Sequence, residues 1–293
     1  MVRVQHAVTP APTLPRGGNG ENINEKNFRR LSSLVYDICG IKLTDNKKTM
    51  IDGRLRRRMR SVAIPDINDY CAFLFDGSAA ADSELVHFID AVTTNKTDFF
   101  REPAHFAFMR KFVLPDWQSE GRRRAKIWSA ASSTGAEAYT IAMVMDDFFR
   151  GSGGLDYAIL GTDICTDVLE KGRSGLFPDT MLEPITEEFR RRYVLVARDP
   201  ARRAFRIAAA LRAKVSFERL NLMDDRYTVA RDFDMIFLRN VLIYFDRPTQ
   251  EAVVGKLCDH LRPGGHLFLG HSESLLSGKF PLDMVANTIF RRR

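Results

Sequence analysis

Residues 127–137 read Ile-Trp-Ser-Ala-Ala-Ser-Ser-Thr-Gly-Ala-Glu. The first four form a short apolar run that is typical of a buried strand, and a turn of small residues follows them. A helical pattern from Glu137 to Phe149 comes next. A strand, a small-residue turn and a helix in this order let a ligand approach the backbone and the N-terminus of the helix. The run therefore predicts an α/β domain with a binding site at this turn, although Gly135 alone does not make a dinucleotide fingerprint.

The same alternation continues along the chain. Further strand-like runs stand at 157–163, 215–222, 235–238 and 266–269. Thr166 is expected to cap the helix after the second strand, and Pro248 to begin the helix after the fourth. Pro263-Gly264-Gly265 is expected to separate that helix from the fifth strand. Strands that alternate with helices predict a parallel sheet covered on both faces.

The rest of the chain divides by composition and period. Residues 1–24 are rich in Pro and Gly, which predicts a disordered tail. Residues 25–90 have helical spacing and predict a small helical domain, which a linker at 91–103 joins to the α/β domain at 104–293. Residues 175–214 interrupt the strand–helix alternation and are rich in Arg, so they are expected to form an inserted subdomain.

Composition places the chain among globular proteins. Its 293 residues are 45% hydrophobic and 28% charged. No apolar run reaches the roughly 18 residues that span a bilayer, and no apolar signal segment opens the chain, so we expect a cytoplasmic protein without membrane insertion. The four cysteines are scattered, so neither disulfides nor a metal site is expected. The net charge of +7 favours a nucleic acid, an anionic membrane or an acidic protein as partner.

Polar residues follow two of the predicted strands. Asp163 ends the second strand, where a carboxylate can accept hydrogen bonds from both hydroxyls of a ribose. Residues 239–246, Arg-Asn-Val-Leu-Ile-Tyr-Phe-Asp, follow the fourth strand, and ligands bind beyond the carboxyl ends of strands in open α/β sheets. Taken alone, the small-residue turn is also explained as an ordinary tight turn. Asp163 and Asp246 are also explained as caps of the helices that follow them. The turn and Asp163 together favour ribose binding.

Residues 95–102, Asn-Lys-Thr-Asp-Phe-Phe-Arg-Glu, mix aromatic, polar and charged side chains. Phe99 and Phe100 require burial, whereas the polar side chains require hydrogen-bond partners. A segment with both requirements is typical of a pocket wall.

Five motifs in this order resemble the CheR family, the chemotaxis receptor glutamate O-methyltransferases that use S-adenosylmethionine. They are Asn-x-Thr-x-Phe-Phe-Arg-Glu-Pro at 95–103, Trp-Ser-Ala-x-x-Ser-Thr-Gly at 128–135, Thr-Asp-Ile at 162–164, Arg-Asn-Val-Leu-Ile-Tyr-Phe-Asp at 239–246 and Gly-His-Ser-Glu-Ser-Leu at 270–275. The resemblance covers about residues 26–293. It implies an all-helical N-terminal domain followed by a Rossmann-like methyltransferase domain with a small inserted β-subdomain.

The resemblance also implies a set of site residues. The residues that would bind the cofactor are Asn95, Thr97, Arg101, Glu137, Asp163, Asn221, Leu222, Asn240 and Val241. Among them Asp163 would hold the ribose and Glu137 the ammonium of the methionine end. Arg101 and Tyr244 would lie nearest to the methyl transfer and act as the catalytic pair.

The implied reaction gives a glutamate methyl ester and S-adenosylhomocysteine. A glutamate is already ionised at pH 7, because its reference pKa is about 4.3, so no general base is required. The implied partner is the cytoplasmic domain of methyl-accepting chemotaxis receptors, and not a nucleic acid. The protein is expected to act as a monomer.

A basic helix predicted from Asp45 to Val62 has two explanations. It is either a solvated face or a surface that docks on acidic receptor helices, since complementary charge speeds encounter. The predicted docking residues are Lys47, Arg54, Arg57 and Arg58.

Two other functions are compatible with parts of the sequence. The high pI suggests a nucleic-acid methyltransferase, but residues 239–242 lack the prolines of the usual amino-methylating box, and aromatic residues are not interleaved with the basic run. Ala136 and Ala138 replace a Glu and a Pro that are usual in the CheR motif, which suggests a catalytically impaired regulator that binds S-adenosylmethionine. The presence of Arg101, Tyr244 and Asp163 favours the enzyme.

Overall fold

The computed structural model describes residues 22–151, 154–197, 199–273 and 278–293, so most of the predicted tail lies outside the described residues. The chain forms two compact units. The first comprises residues up to Ser32 together with Thr44–Val92, and the second comprises Ser33–Leu43 together with Thr93–Arg293.

Amphipathic helices build the first unit. They are the first half of α1 (Glu25–Cys39), α2 (Lys48–Ser61), α3 (Ile67–Leu74) and α4 (Ala79–Val92). Ile51, Leu55 and Met59 form the buried apolar stripe of α2. α3 begins where the Asp66 side chain accepts hydrogen bonds from the N–H groups of the first turn. The predicted all-helical N-terminal part of the chain is therefore confirmed.

A seven-stranded sheet forms the centre of the second unit. Its strands, in spatial order, are β6 (Val215–Arg219), β2 (Asp156–Asp163), β1 (Arg124–Ala130), β7 (Phe233–Leu238), β8 (Leu261–Leu269), β10 (Ile289–Arg292) and β9 (Leu282–Ala286). The first five are parallel, as predicted. β9 and β10 form an antiparallel edge that the sequence analysis did not anticipate.

The order of these strands determines where a ligand can bind. From β1 the chain proceeds outward through β2 to β6, and later returns to the other side of β1 to form β7 and β8. The direction of winding therefore reverses between β1 and β7, and ligands bind at the carboxyl ends of strands at such a point.

Helices cover both faces of the sheet. They are α5 (Pro103–Phe108) and α6 (Leu114–Ser119) with a π-helical turn between them, α7 (Ala136–Phe149), α8 (Thr166–Ser174) and α11 (Arg247–His260). Neighbouring β1 residues point to opposite faces, so that Ile127 joins one buried apolar cluster and Trp128 the other. β7 is buried along its whole length because it lies in the middle of both clusters.

A second, smaller sheet lies within residues 175–214. Its antiparallel strands are arranged as β3 (Leu176–Pro178), β5 (Ala204–Ile207) and β4 (Val194–Val196), and the short helices α9 (Glu187–Tyr193) and α10 (Ala209–Arg212) accompany them. Phe177 and Phe205 of this sheet pack against Phe99. The predicted inserted β-subdomain is confirmed.

Two local predictions are wrong. Pro263-Gly264-Gly265 does not separate a helix from a strand, because α11 already ends at His260 and the triplet lies within β8. The register between β7 and β8 shifts there, so the three residues form a bulge, which the positive φ of Gly264 permits. Thr166 is not a cap but the first residue of α8, and Cys165 occupies the cap position.

Candidate functional site

The turn between β1 and α7 has an unusual backbone. Ala131, Ser133 and Gly135 all have positive φ, of 55°, 51° and 86°. A Cβ on Gly135 would lie 2.6 Å from the Phe217 ring, so both the backbone and the space require glycine there. The turn is thus held in one conformation at the carboxyl edge of the sheet.

Asp163 holds this turn from the end of β2. Its Oδ2 accepts a hydrogen bond from the Ser133 N–H at 2.9 Å, and its Oδ1 accepts one from the Cys165 N–H at 3.0 Å. The carboxylate is buried and is fixed between two backbone segments. A carboxylate in this place is the arrangement that binds ribose hydroxyls in doubly wound folds.

A cleft opens beside Asp163 in the second unit. It is lined by Cys39, Ile41, Ala131, Asp163, Ile164, Leu220, Asn221, Leu222, Val241, Tyr244 and Phe245. Five predicted site residues, including Tyr244, therefore lie around one cavity. The Asn221 amide donates to the Ile38 carbonyl at 2.6 Å, and its oxygen accepts from the Met223 N–H, so this side chain shapes the wall.

Sequence reasoning missed Cys39 and Ile41 as parts of this wall. The available signal was Gly40, which ends α1 with φ of 68° and turns the chain. A Cβ on Gly40 would lie 2.5 Å from the Met223 sulfur, so the turn packs directly on the loop after β6.

An ion cluster lies next to the turn, centred on the buried Arg239. Its guanidinium contacts Glu137 Oε2 at 2.9 Å and Glu102 Oε2 at 3.0 Å, and it also donates to the Arg101 carbonyl. Ser129 donates its hydroxyl to Glu137 Oε1 at 2.7 Å. Glu137, the predicted ammonium ligand, is thus already paired with Arg239.

Glu102 was not among the predicted site residues, although it ends the 95–102 segment. Its carboxylate binds the Asn240 amide at 2.9 Å as well as Arg239. Burial by itself raises the pKa of Glu102, but the hydrogen bond from Asn240 and the charge of Arg239 outweigh burial and lower the pKa to about 2. Glu102 is therefore a fixed anion at the centre of the site.

Glu273 anchors the loop that carries Asn240 and Val241. Its carboxylate accepts hydrogen bonds from the N–H groups of Gly270 at 2.6 Å, Asn240 at 3.0 Å and Val241 at 2.8 Å. Asn240 has a φ of 60°, a strained conformation that these bonds help to maintain. The motif at 270–275 was noted in the sequence, but the role of this glutamate was not.

The 95–102 segment lies against the same turn. The Ser133 hydroxyl donates to the Asn95 carbonyl at 2.8 Å, and the Asn95 amide donates to Cys165 Sγ at 3.4 Å. Phe99 is buried, as predicted. The Arg101 guanidinium donates to the Lys96 carbonyl at 3.1 Å, and Thr97 is half-buried.

Three buried polar atoms in this region have no hydrogen-bond partner among the described residues. They are Ser132 Oγ and Thr134 Oγ1 of the turn and Nε of Arg239. Buried polar atoms are nearly always satisfied, so unpaired ones at a turn call for a ligand or water. The turn, the Asp163 carboxylate and the partly apolar cleft suit a ligand that combines a nucleoside with charged groups.

The predicted docking residues on α2 differ in their contacts within the first unit. Arg58 forms a two-pronged ion pair with buried Glu84, at 2.8 and 2.6 Å, and Tyr70 donates to the same carboxylate. Arg54 donates to the Val92 carbonyl at 2.6 Å, at the end of α4. These two arginines support the helical unit, whereas Lys47 and Arg57 are exposed.

A parallel sheet with this winding reversal, an acid at the end of β2 and a cleft beside it define the class of Rossmann-like domains that bind nucleoside cofactors. Residues 95–290 match the family described as CheR methyltransferase, SAM binding domain, and residues 26–93 match CheR methyltransferase, all-alpha domain. The chain belongs to the CheR methyltransferase family. It is an S-adenosylmethionine-dependent methyltransferase of chemotaxis, which confirms the predicted family, fold class and cofactor.

Curated relatives are similar over most of the chain. The chemotaxis protein methyltransferase of Escherichia coli (strain K12) is 38% identical over 252 residues, which cover 86% of this chain and 85% of that protein. Chemotaxis protein methyltransferase 2 of Pseudomonas aeruginosa is 34% identical over 283 residues, covering 96% and 98%. The glycopeptide N-methyltransferase MtfA, solved with S-adenosylmethionine, is a distant match at 13% identity and a TM-score of 0.31, covering 55% of this chain and 53% of its own.

Proposed function

We propose that this protein methylates glutamate side chains of chemotaxis receptors and so produces glutamate methyl esters. The observation that carries the proposal is that Tyr244 and Asp163 line one cleft, in a chain of the CheR family. A residue suited to orient an acceptor and a residue suited to hold a ribose thus share a cavity.

Different residues around the cleft would contact different parts of the cofactor. Asp163 would accept hydrogen bonds from the ribose hydroxyls. Leu222 and Val241 would pack against the adenine, with Asn221 and Asn240 holding the surrounding loops in place. Asn95, Thr97 and Arg101 would contribute from the segment that lies on the turn.

The ion cluster suits the methionine end of the cofactor, which carries an ammonium and a carboxylate. Glu137 and Arg239 offer one charge of each sign within 2.9 Å of each other. The unpaired Nε of Arg239 is a donor that could meet the carboxylate, while Glu137 shares its charge with the ammonium. Ala136 and Ala138 are both completely buried, so their side chains do not face the cleft. This arrangement therefore does not use the two positions where the chain departs from the usual motif.

The acceptor needs placement more than proton transfer. When bound, the cofactor supplies a methyl group on a positively charged sulfur. The acceptor glutamate is already a carboxylate at neutral pH, so the residues of this chain have to orient it and remove part of its water. We assign the orientation to the Tyr244 hydroxyl and to Arg101, whose guanidinium would leave the Lys96 carbonyl to guide the carboxylate.

The exposed basic residues of the first unit would guide the receptor. Lys47, Arg57 and Arg60 are exposed on and next to α2, and receptor helices that carry glutamates have the opposite charge. Arg54 and Arg58 are left out of this surface because their guanidinium groups are bound within the unit.

The remaining assignments follow from the same proposal. The predicted helical domain, residues 25–90, would be the docking domain, and residues 91–103 would link it to the cofactor site. The substrate would be the cytoplasmic domain of a receptor, and the enzyme would act in the cytoplasm as a monomer. No helix in the described parts of the chain is long and apolar enough to cross a bilayer.

The test is methyl transfer from labelled S-adenosylmethionine to purified receptor cytoplasmic fragments. We expect label on the fragment that mild base releases as methanol, because esters hydrolyse where methylated nitrogen does not. Label that resists base would contradict an ester product, and label on added nucleic acid instead of the receptor would favour the nucleic-acid alternative. Cofactor binding without any transfer would favour the regulator.

Tyr244→Phe is the matched variant for this assay. It removes one hydroxyl and keeps the ring in the cleft wall, so we expect cofactor affinity close to that of the wild type and a turnover at least about tenfold lower. Wild-type turnover in this variant would exclude the orienting role of Tyr244 while leaving the receptor proposal intact.

A further inference from the structure

Two histidines and a glutamate converge beside the ion cluster. The donor atoms of Glu102, His105 and His271 all lie within 4.8 Å of one another. Glu102 stands immediately before α5 and His105 lies three residues later, so one helical turn presents both side chains on the same side. His271 joins them from the loop after β8, where its backbone N–H donates to Glu102 Oε1 at 3.3 Å.

His105 has one satisfied and one unsatisfied ring nitrogen. Its Nε2 lies 3.0 Å from the Thr288 hydroxyl. Its Nδ1 is buried, has no hydrogen-bond partner among the described residues, and lies 3.6 Å from Glu102 Oε2. The ring itself is 1% exposed, so this nitrogen has no access to bulk water. A buried nitrogen aimed at a carboxylate without a proper hydrogen bond indicates that a third group belongs between them.

The hydrogen-bond partners of His105 assign roles to its two ring nitrogens. With a proton on Nε2, the ring donates to the Thr288 hydroxyl, and Nδ1 presents a lone pair towards Glu102. Histidines that bind metals usually have their other ring nitrogen oriented by such a hydrogen bond.

We propose that Glu102, His105 and His271 bind a transition-metal ion, with Zn²⁺ as the best match. Two imidazole nitrogens and a carboxylate oxygen are ligands that suit Zn²⁺, whereas Mg²⁺ and Ca²⁺ prefer oxygen ligands alone. Ligand atoms at about 2.1 Å from a tetrahedral ion stand about 3.4 Å apart. The 3.6 Å between His105 Nδ1 and Glu102 Oε2 is close to that value.

The third ligand and the path of entry are both provided by His271. Its ring is exposed and its centroid lies 5.1 Å from that of His105, with the two planes at 79°. Its ligand atom lies within 4.8 Å of those of Glu102 and His105, so rotation of this exposed ring would bring it to ligand distance, and water would take the fourth position. The inference does not depend on the proposed receptor substrate.

The ion would share the Glu102 carboxylate with residues of the proposed cofactor site. Glu102 Oε2 already contacts Arg239, and Glu102 Oε1 binds Asn240. An ion on Oε2 competes with the Arg239 guanidinium for the same oxygen and repels it. Zn²⁺ and the Arg239 interaction with Glu102 are therefore expected to oppose each other.

The test is competition for Zn²⁺ between the full-length protein and a chromophoric chelator, followed by Co²⁺ substitution, whose visible absorption reports nitrogen and oxygen ligands. We expect one Zn²⁺ per chain, and an affinity at least about tenfold lower in His271→Ala, since one of three ligands is lost. Glu102→Gln should weaken binding similarly. Excess Mg²⁺ should not displace the ion.

His87→Ala is the matched control, because His87 is an exposed histidine of the first unit. Its affinity should equal that of the wild type. Circular dichroism of each variant checks that the fold is retained. Failure to bind Zn²⁺ at micromolar concentration, or equal Zn²⁺ affinity and equal Co²⁺ spectra in His271→Ala and the wild type, would overturn the proposal.

Discussion

Glu102 is a half-buried carboxylate and Glu273 a buried one, and their surroundings move their pKa values in opposite directions. For Glu102, burial raises the pKa, but the Asn240 amide and the Arg239 charge prevail. For Glu273, burial raises the pKa and prevails over the hydrogen bonds from Gly270, Asn240 and Val241. The two carboxylates differ in burial and in partners: Glu102 is half-buried and has the Asn240 amide and the Arg239 charge, whereas Glu273 is buried and has only backbone N–H groups.

His266 provides a prediction about pH at the residue scale. Burial lowers its pKa to about 4 from the ordinary value of 6.5, with help from Arg291 and Arg262. Between pH 6.5 and 4 the unfolded chain binds the proton and the folded chain does not. The contribution of His266 to stability is therefore complete above pH 6.5 and is lost as the pH falls towards 4.

The measurement is urea unfolding of the wild type and His266→Gln at pH 7.5 and pH 4.5. Gln does not titrate, so the variant should lose less stability than the wild type between the two values. An equal loss in both proteins would show that His266 titrates alike in the folded and unfolded states.

The strand–turn–helix element depends on one glycine. Gly135→Ala places a Cβ 2.6 Å from the Phe217 ring at a φ of 86°. We expect a loss of about 1–2 kcal/mol from the left-handed backbone, and a further loss of about 1–3 kcal/mol from the overlap. Chemical denaturation measures the total, and cofactor binding should weaken because the turn shifts.

Gly151→Ala separates these two contributions. Gly151 has a similar φ of 80°, but no atom of the described residues beyond its chain neighbours lies within 4 Å of the added Cβ. This variant should lose only the backbone part of the stability and keep cofactor affinity. Equal losses in the two variants would mean that Phe217 moves aside at little cost.

The helices of the first unit have a corresponding test. Arg58→Ala leaves the buried Glu84 carboxylate without its charged partner, so we expect a loss of about 3 kcal/mol. Arg57→Ala, one residue earlier on the exposed face, should change stability by no more than about 0.5 kcal/mol. Unfolding in guanidinium chloride measures both. Similar losses of stability in the two variants would mean that the ion pair of Arg58 with Glu84 does not stabilise the first unit.

For the whole molecule, surface charge predicts how receptor methylation depends on salt. The triple variant Lys47→Glu, Arg57→Glu, Arg60→Glu should methylate receptor fragments at least about tenfold more slowly at low ionic strength. The wild-type rate should fall as salt is added, because screening removes the attraction, and the variant rate should change little.

A matched triple variant tests whether position matters beyond net charge. Lys111, Arg124 and Arg231 are exposed residues of the second unit, and reversing them changes the net charge by the same amount. This control should stay close to the wild type. A rate loss as large as that of the α2 variant would mean that overall charge, not a local surface, attracts the receptor.

Most of the fold was predictable because it depends on local periodicity. β1, α7 and β2 match their predicted positions within a few residues, since apolar runs and small-residue turns mark them directly. The edge strands β9 and β10 were missed because they are short and half-exposed. Pro263-Gly264-Gly265 was misassigned because Pro and Gly are typical both of a β-bulge and of a loop that ends a helix.

Residues of the candidate site could be predicted where a single local motif determines their position. Asp163 and Tyr244 lie on the cleft because Asp163 ends β2 and Tyr244 stands in the segment that follows β7. The pairing of Arg239 with Glu102 and Glu137 joins residues more than 100 positions apart, which no local pattern shows. Arg58 was assigned to the surface for the same reason, since its partner Glu84 belongs to another helix.

The four cysteines have a practical consequence. All of them are buried and none forms a disulfide, and burial raises the pKa of the thiols of Cys39, Cys71 and Cys258. Thiolates are the species that react with maleimides, so the native chain resists labelling. A single cysteine introduced at Arg57 would carry a fluorophore on the proposed docking face without prior removal of the native thiols. The encounter with a receptor fragment could then be timed directly by stopped-flow fluorescence.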